Sequence, residues 1–352
     1  MTSNARALRP GQLPIMTHQE TEIQTGPIRF EDIEAAAQAL SSVVSKTPLL
    51  ENPDVNDCLS GRLLIKAECA QRTGAFKIRG AYNRIRMMSV SERDRGVIAY
   101  SSGNHAQGVA LAARLLGSSA LIVMPDDAPS QKYESTKALG AEIVPFDRNI
   151  EDSNKVVSRL QAKTGRLIVP PSGDARVFSG AGTVATELFQ QSKEVDVSLD
   201  AVLVPCGGGG LTAATAFAMQ ELSPRTQVYA VEPAPFDDTR RSLLVGKRVV
   251  NPKGQYTICD AIMTPTPNPQ TFEINRKLLA GALVASDDDV RNAMLFAYEN
   301  FKIVVEPGAA VGIAAVLNGQ IDIKNKTIVA IVTGGNISPD KFCELLKPTN
   351  RN

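Results

Sequence analysis

The sequence lacks an excess of either charge: 38 Lys and Arg stand against 37 Asp and Glu. Without a basic stripe there is no electrostatic footprint for nucleic acid. Zinc and disulfide frameworks are missing too. The five cysteines (Cys58, Cys69, Cys206, Cys259, Cys343) are odd in number, scattered and never spaced C-x-x-C, which fits a reducing compartment. No apolar run approaches the roughly 18 residues of a membrane span. Residues 1–27 have no apolar signal core, and Glu20 and Glu22 speak against a transit peptide. They read as a disordered leader on a cytoplasmic protein.

What remains is an ordinary globular composition, 43% hydrophobic and 21% charged over 352 residues, enough for two domains and a sizeable core. From residue 30 short apolar runs alternate with helical periods. "FEDIEAAAQAL" reads as a capped helix, "RLLIKAE" as a strand, and "AFKIRGAYNRIRMM" as a helix. "GVIAYSS" meets "NHAQGVALAARLLG", and "SALIVMP" meets "SQKYESTKALG". "AEIVPF", "RLIVPP", "DAVLVP", "QVYAVE" and "TIVAIVT" continue the strands, and "LTAATAFAMQEL" and "PGAAVGIAAVLNG" the helices. Solidly apolar strands separated by helices predict α/β architecture with parallel sheets covered on both faces. Ligands of such sheets gather at the carboxyl ends of strands. Three polar or glycine-rich clusters follow strands here: "SSGNH", "CGGGG" and "TGGN".

"VPCGGGGLTAAT" runs from strand through Gly207, Gly208, Gly209 and Gly210 into a helix. Successive free N–H groups at a helix N-terminus make a phosphate site. A plain strand-to-helix turn would need one or two glycines. The pattern Gly208-x-Gly210-x-x-Ala213, with Glu232 ending the next strand, formally matches a dinucleotide fingerprint. A nicotinamide oxidoreductase with Glu232 on a ribose is therefore one reading, although it leaves Lys77, Asn104 and "TGGN" without employment. The other is a cofactor with a single phosphate. In "RTGAFKIRG" Lys77 follows Phe76 among neighbours that read as buried. Desolvation there would lower its pKa and leave a nucleophilic amine, which is what pyridoxal 5'-phosphate requires.

Across residues 28–348 the chain resembles the fold-type II pyridoxal-phosphate family, in its branch of threonine/serine dehydratases and serine racemases. The anchors are "ECAQRTGAFKIRGA", "SSGNHAQGVALAA", "MPDDAPSQKYESTKALGAEIV", "SGAGT", "PCGGGGL", "VEP" and "VTGGN", in that order. The resemblance implies two open parallel-sheet domains of tryptophan synthase β-like type with the active site in the cleft between them. The large domain would comprise 28–91 and 170–348, with a small domain inserted at 92–169. Lys77 is similar to the lysine that binds the cofactor's aldehyde and moves the α-proton, with Phe76 against the ring. Asn104 matches the partner of the phenolic oxygen, and Gly207, Gly208, Gly209 and Gly210 match the phosphate cradle. Thr333 stands where a serine usually faces the pyridine nitrogen; a neutral hydroxyl there suits β-elimination. Ser101, Gly103 and His105 belong to the loop that receives the substrate carboxylate, with His105 expected to act indirectly.

The implied reaction converts L-threonine or L-serine to a 2-oxo acid and ammonia. Ser102 opens an alternative. Dehydratases commonly carry alanine at this position, whereas serine racemases and 3-hydroxyaspartate dehydratases carry serine, which resembles a second base opposite the lysine. An arginine common near Ser153 in the latter relatives is absent, which ranks a dicarboxylate substrate lower. "PPSGDARV" and Gly180-Ala181-Gly182-Thr183 also depart from the family pattern. "VEPAPFDD" resembles a divalent-cation loop, in which Glu232, the carbonyl of Phe236 and Asp238 (or Asp237) would hold magnesium or calcium. Glu306 reads as favourable charge before the helix starting at Pro307. The short stretch after "TGGN" leaves no room for a feedback-regulatory domain. A homodimer is the family expectation. A non-enzymatic cofactor-binding role would require a blocked substrate loop, and "SSGNHAQG" shows no sign of one.

Overall fold

The computed structural model describes residues 28–148 and 150–347; the leader at 1–27 lies outside them. The described residues form ten strands: β1 (Leu49–Glu51), β2 (Arg62–Ala67), β3 (Val97–Tyr100), β4 (Ala120–Pro125), β5 (Glu142–Phe146), β6 (Leu167–Ile168), β7 (Ala201–Pro205), β8 (Gln227–Pro233), β9 (Gly281–Ala285) and β10 (Thr327–Val332). They form a six-stranded sheet in the order β1-β2-β10-β7-β8-β9 and a four-stranded sheet in the order β5-β4-β3-β6. All pairings are parallel except β1 with β2.

The apolar runs explain the layering. Every residue of β4, β7 and β10 is buried, because helices cover both faces of each sheet. On one face of the larger sheet the all-apolar helix Pro307–Leu317 packs against Leu203 and Ala330. On the other lie Ala175–Glu194 and Gly210–Leu222, with Val184, Leu188, Ala214 and Val329 in contact. The four-stranded sheet has its own core, built on Ile78, Val97, Val109 and Ile122. "RLIVPP" shrinks to a two-residue strand, since Pro170 and Pro171 have no N–H to donate to a ladder.

Sequence periodicity does not reveal β1, β9 or several helices, of which Ala175–Glu194 is the longest at 20 residues. "SGAGT" belongs to this helix, buried throughout. Its glycines serve packing. A Cβ on Gly180 would stand 2.4 Å from the Arg79 carbonyl oxygen, and one on Gly80 would stand 2.8 Å from that of Val177. The helix Lys77–Arg86 therefore crosses Ala175–Glu194 backbone against backbone.

Charged side chains are buried beside that crossing. Arg79, 1% exposed, forks onto Glu68 at 2.7 and 2.8 Å and reaches Glu187 at 3.1 Å. Lys66, buried within β2, meets Glu187 at 2.5 Å and also donates to Gln191 and the Thr47 carbonyl. Burial pulls the Lys66 ammonium below its ordinary range against its two carboxylate neighbours. Arg79 and the lowered Glu187 stay ionised because each faces opposite charge. Removing one member would strand the others in a low-dielectric interior. We expect Arg79→Met to lower the free energy of urea unfolding by ~3–5 kcal/mol; a loss below about 1 kcal/mol, the range of surface pairs, would show the network to be energetically idle.

Candidate active site

The carboxyl ends of β3, β7 and β10 open onto one cleft of about 260 Å³. Its lining includes Phe76, Lys77, the run Ser101–His105, Gly207–Gly210 and Thr333. All residues expected to hold cofactor or substrate thus face a single space. That volume lies just below the roughly 300–1,000 Å³ of pockets for drug-sized ligands.

Lys77 opens the helix Lys77–Arg86, and Phe76 precedes it. The entry is clamped to the end of β10: Ala75 bridges Gly334, and the Phe76 N–H donates to the Thr333 carbonyl at 3.1 Å. Lys77 is half-buried rather than buried as the sequence implies. Its stem is packed while its amine looks into the cleft, 5.0 Å from the Phe76 ring centroid and 3.2 Å from the Pro171 carbonyl oxygen. Among the described residues no carboxylate pairs with it. Enclosure by protein lowers its pKa to about 8, so roughly a tenth is free amine at pH 7, against well under a hundredth for an ordinary lysine.

Opposite stands the glycine loop. Gly209 is the N-cap of Gly210–Leu222 with φ +81°, and a Cβ there would lie 2.6 Å from Asn275 Nδ2. The helix Pro269–Leu278 braces the loop from outside: Thr271 Oγ1 donates to the Gly208 carbonyl at 2.7 Å and Asn275 Nδ2 to that of Gly209 at 3.3 Å. Carbonyls are consumed on that side. Among the described residues no acceptor meets the N–H of Gly207, Gly208, Gly209 or Gly210. Four donors at a helix N-terminus fit one phosphate.

On the third side, Gly103 precedes the helix Asn104–Leu115. Ser101 Oγ accepts the Gly103 N–H at 3.1 Å, and Ser102 borders the cleft half-buried. His105 Nε2–H donates to the Val169 carbonyl at 2.8 Å. Burial, with Lys77 nearby, drives its pKa down to about 3, so His105 is neutral and committed elsewhere. Asn104 Nδ2 donates to Glu306 at 2.5 Å and its Oδ1 accepts from Asn336 at 2.8 Å.

Sequence reading missed five contributors. Glu306 does not serve as a helix-capping charge: its side chain makes no cap hydrogen bond and reaches Asn104 instead. Asn336, the last residue of "TGGN", orients Asn104. Ser172 approaches the glycine loop. Lys132 and Asp260 form a 2.6 Å ion pair at the cleft's edge. Only Asn336 carried a signal, its place at a strand end.

Glu232 and Asp238 lie away from the cleft. Both Glu232 oxygens accept backbone N–H groups, from Thr239 and Arg240 at 2.8 Å each, and the side chain is fully buried outside the cleft lining, out of reach of a ribose, which removes the nicotinamide reading. Asp238 Oδ1 accepts from Asn251 at 2.6 Å, and its buried Oδ2 has no partner. Burial first, and Asp238 second, push Glu232 up to about 8; burial pushes Asp238 up to about 6. Phe236 is buried in the turn between them. Asp237 is taken by Arg241 at 2.6 Å. Among the described residues no three His, Cys, Asp or Glu side chains gather as a metal cluster.

The chain matches the family described as pyridoxal-phosphate dependent enzyme over residues 40–334. It is 38% identical to an L-threonine ammonia-lyase of Thermotoga maritima over 88% of this chain and 76% of that one. It is also 38% identical to an L-threo-3-hydroxyaspartate ammonia-lyase of Saccharomyces cerevisiae, covering 90% of this chain and 96% of the relative. The structure of maize serine racemase superposes with a TM-score of 0.85 at 34% identity, over 90% of this chain and 96% of that one.

The lowered Lys77 pKa has a direct chemical readout. In the chain freed of small molecules, acylation of Lys77 should rise with pH to half its maximal rate at about pH 8, as the amine loses its proton. A midpoint near 10.5, the ordinary lysine value, would show that the cleft does not desolvate it.

Proposed function

The chain belongs to the pyridoxal-phosphate-dependent enzyme family, and we propose that within it the protein is an ammonia-lyase that converts L-threonine or L-serine to a 2-oxo acid and ammonia, the water eliminated first being taken up again at the end. The observation that carries this reading is Lys77: a partly desolvated amine without a counter-ion, facing the unpaired N–H groups of the glycine loop across one cleft.

Pyridoxal phosphate, when bound, would supply an aldehyde carbon for amines to attach to and a ring that draws electrons from the substrate's α-carbon. Gly207 to Gly210 would hold its phosphate, Phe76 and Asn104 its ring and phenolic oxygen, and Thr333 its pyridine nitrogen. The backbone around Ser101 and Gly103 would hold the substrate carboxylate at the start of the helix Asn104–Leu115, where the dipole favours an anion. Neutral His105, anchored on Val169, keeps that loop in place and adds no charge. The Lys77 amine takes the α-proton, since a base with pKa of about 8 is suited to neutral pH. The hydroxyl departs from the β-carbon with one proton as water. The released enamine takes up water and yields 2-oxo acid and ammonia.

Ser102 supports a second reading, as a serine racemase. It borders the same cleft as Lys77, and racemisation needs a proton donor on each face of the α-carbon. The relatives also keep L-threo-3-hydroxyaspartate among the substrates to be tried. A homodimer in the cytoplasm completes the proposal.

We extend the proposal to a structural magnesium or calcium ion at Asp238, Glu232 and the Phe236 carbonyl. The unpartnered, buried Asp238 Oδ2 suits a hard cation, which would offset the repulsion between two carboxylates. Calcium or magnesium at ~100 times its dissociation constant should stabilise the fold by ~2.7 kcal/mol, read as a rise in thermal midpoint that Asp238→Asn abolishes. An equal midpoint with and without chelator would remove the ion.

The function is tested by 2-oxo acid release from L-threonine, L-serine, D-serine and L-threo-3-hydroxyaspartate, with chiral separation of serine. Turnover of L-threonine or L-serine is expected, falling by ~10²–10⁴-fold or more in Lys77→Ala. Inversion of serine with little 2-oxo acid, lost in Ser102→Ala, would make the protein a racemase. An active Lys77→Ala variant would overturn the mechanism.

A further inference from the structure

Glu306 is 1% exposed and lines the cleft. Its Oε1 accepts from Asn104 Nδ2, while its Oε2 is buried with no partner. Asn104 cannot turn to relieve this. Its Oδ1 accepts from Asn336 Nδ2, which also donates to the Thr73 carbonyl at 2.7 Å. A carbonyl only accepts, so Asn336 must present its NH₂ there, and Asn104 must present oxygen to Asn336 and NH₂ to Glu306. The order of donors is therefore set from Thr73 through to Glu306.

The ionisable groups facing Glu306 are Lys132 from the helix Ser130–Ala138, Asp260 and Cys259 at the turn Asp260–Ile262, and Cys69 from the turn Glu68–Ala70. Lys132 is spent on Asp260 at 2.6 Å. Burial pushes the Cys259 thiol up to about 12 and that of Cys69 to about 11, so both are uncharged. Shared with Asp260, Lys132 offsets only part of the burial, which pushes Glu306 up to about 7. A proton on Oε2 removes the cost of a buried charge and creates a donor with no acceptor on the protein.

We propose that Glu306 is a positioning residue that works as a neutral carboxylic acid, its Oε1 fixing the Asn104 amide and its Oε2–H donating to the phenolic oxygen of pyridoxal phosphate. The inference rests on the cofactor assignment made above. It explains why a carboxyl group sits in a cleft meant for an anion: with its proton on, it attracts the ligand oxygen, and without it, it repels.

The test is binding of pyridoxine 5'-phosphate to the cofactor-free wild type, Glu306→Gln and Glu306→Ala between about pH 5.5 and 9. This ligand keeps the ring, phenolic oxygen and phosphate but has no aldehyde, so attachment to Lys77 plays no part. Glutamine mimics the protonated acid, with an oxygen for Asn104 and an N–H in place of Oε2–H. Near pH 6, the Gln variant should bind within ~3-fold of wild type, and the Ala variant ~10-fold or more weaker. The wild-type-to-Gln affinity ratio cancels the ligand's own ionisations. It should be level in acid and fall as pH passes about 7, because only wild type then gains a carboxylate. A Gln variant as weak as Ala, or a ratio level throughout, would overturn the proposal. Should the Glu306 variants fail to fold by circular dichroism, Asp260→Asn at the cleft's edge serves instead. Removing that negative neighbour and freeing Lys132 should move the wild-type inflection to lower pH, and an unmoved inflection would overturn the proposal equally. A wild type that binds neither pyridoxine phosphate nor pyridoxal phosphate would overturn the cofactor assignment itself; binding without the pH break would overturn Glu306's part alone.

Discussion

The contact on which the cleft depends is the glycine crossing between the helices Lys77–Arg86 and Ala175–Glu194. Gly80 and Gly180 let backbone approach backbone, and an added Cβ at either would collide with a carbonyl oxygen. Close-packed interiors relax only partly, so a larger residue would displace the helix and carry Lys77 with it. Ion pairs reinforce the crossing. Arg79 joins the Lys77 helix to Glu68 beyond β2 and to Glu187 on the partner helix, and Lys66 ties Glu187 back to the sheet. Such pairs cost desolvation and add little net stability. Their geometric demand is strict, however, and it fixes the azimuth at which Lys77 enters the cleft.

Within the cleft, enclosure acts on Lys77, His105 and Glu306 in the same sense. The Lys77 amine and the His105 ring move down, and the Glu306 carboxyl moves up. Each is pushed toward its neutral form because charge is poorly solvated there. The unpaired N–H groups of the glycine loop then supply the local field, reinforced by the dipole of Gly210–Leu222. A cleft nearly free of side-chain charge and lined at one end by amide donors suits a small phosphorylated ligand. The one complete ion pair, Lys132–Asp260, stands where Asp260 is about half exposed and water lowers its cost.

Much of this was legible in the residues. Apolar runs broken by helical periods give parallel strands, and the parallel ladders follow. Strand ends carrying "CGGGG" and "TGGN" meet because parallel strands of one sheet put their carboxyl ends on one side, and "SSGNH" joins them from the second sheet. Other parts left no trace. β1 is three residues of mixed burial, too short to show a period. Ala175–Glu194 is buried on most of its surface, so its polar residues face other protein groups and no apolar stripe marks it. Glu232 ends its strand at the spacing of a ribose ligand, yet its carboxylate folds back onto the next helix.

The sequence by itself determined the chemistry that one local segment can hold: a lysine after an aromatic, four glycines ahead of a helix, an asparagine behind a Ser-Ser-Gly turn. These depend on neighbouring backbone, and neighbouring backbone is written in order. Tertiary structure decided which distant groups lean on them. Glu306 looks like a helix-start charge until Asn104, 202 residues away, takes its oxygen. Lys132 meets Asp260, 128 residues further on, and the Arg79 carbonyl occupies the space a Cβ on Gly180 would need. Desolvation and close approach belong to pairs of residues brought together by folding, so neither can be read from one stretch of chain.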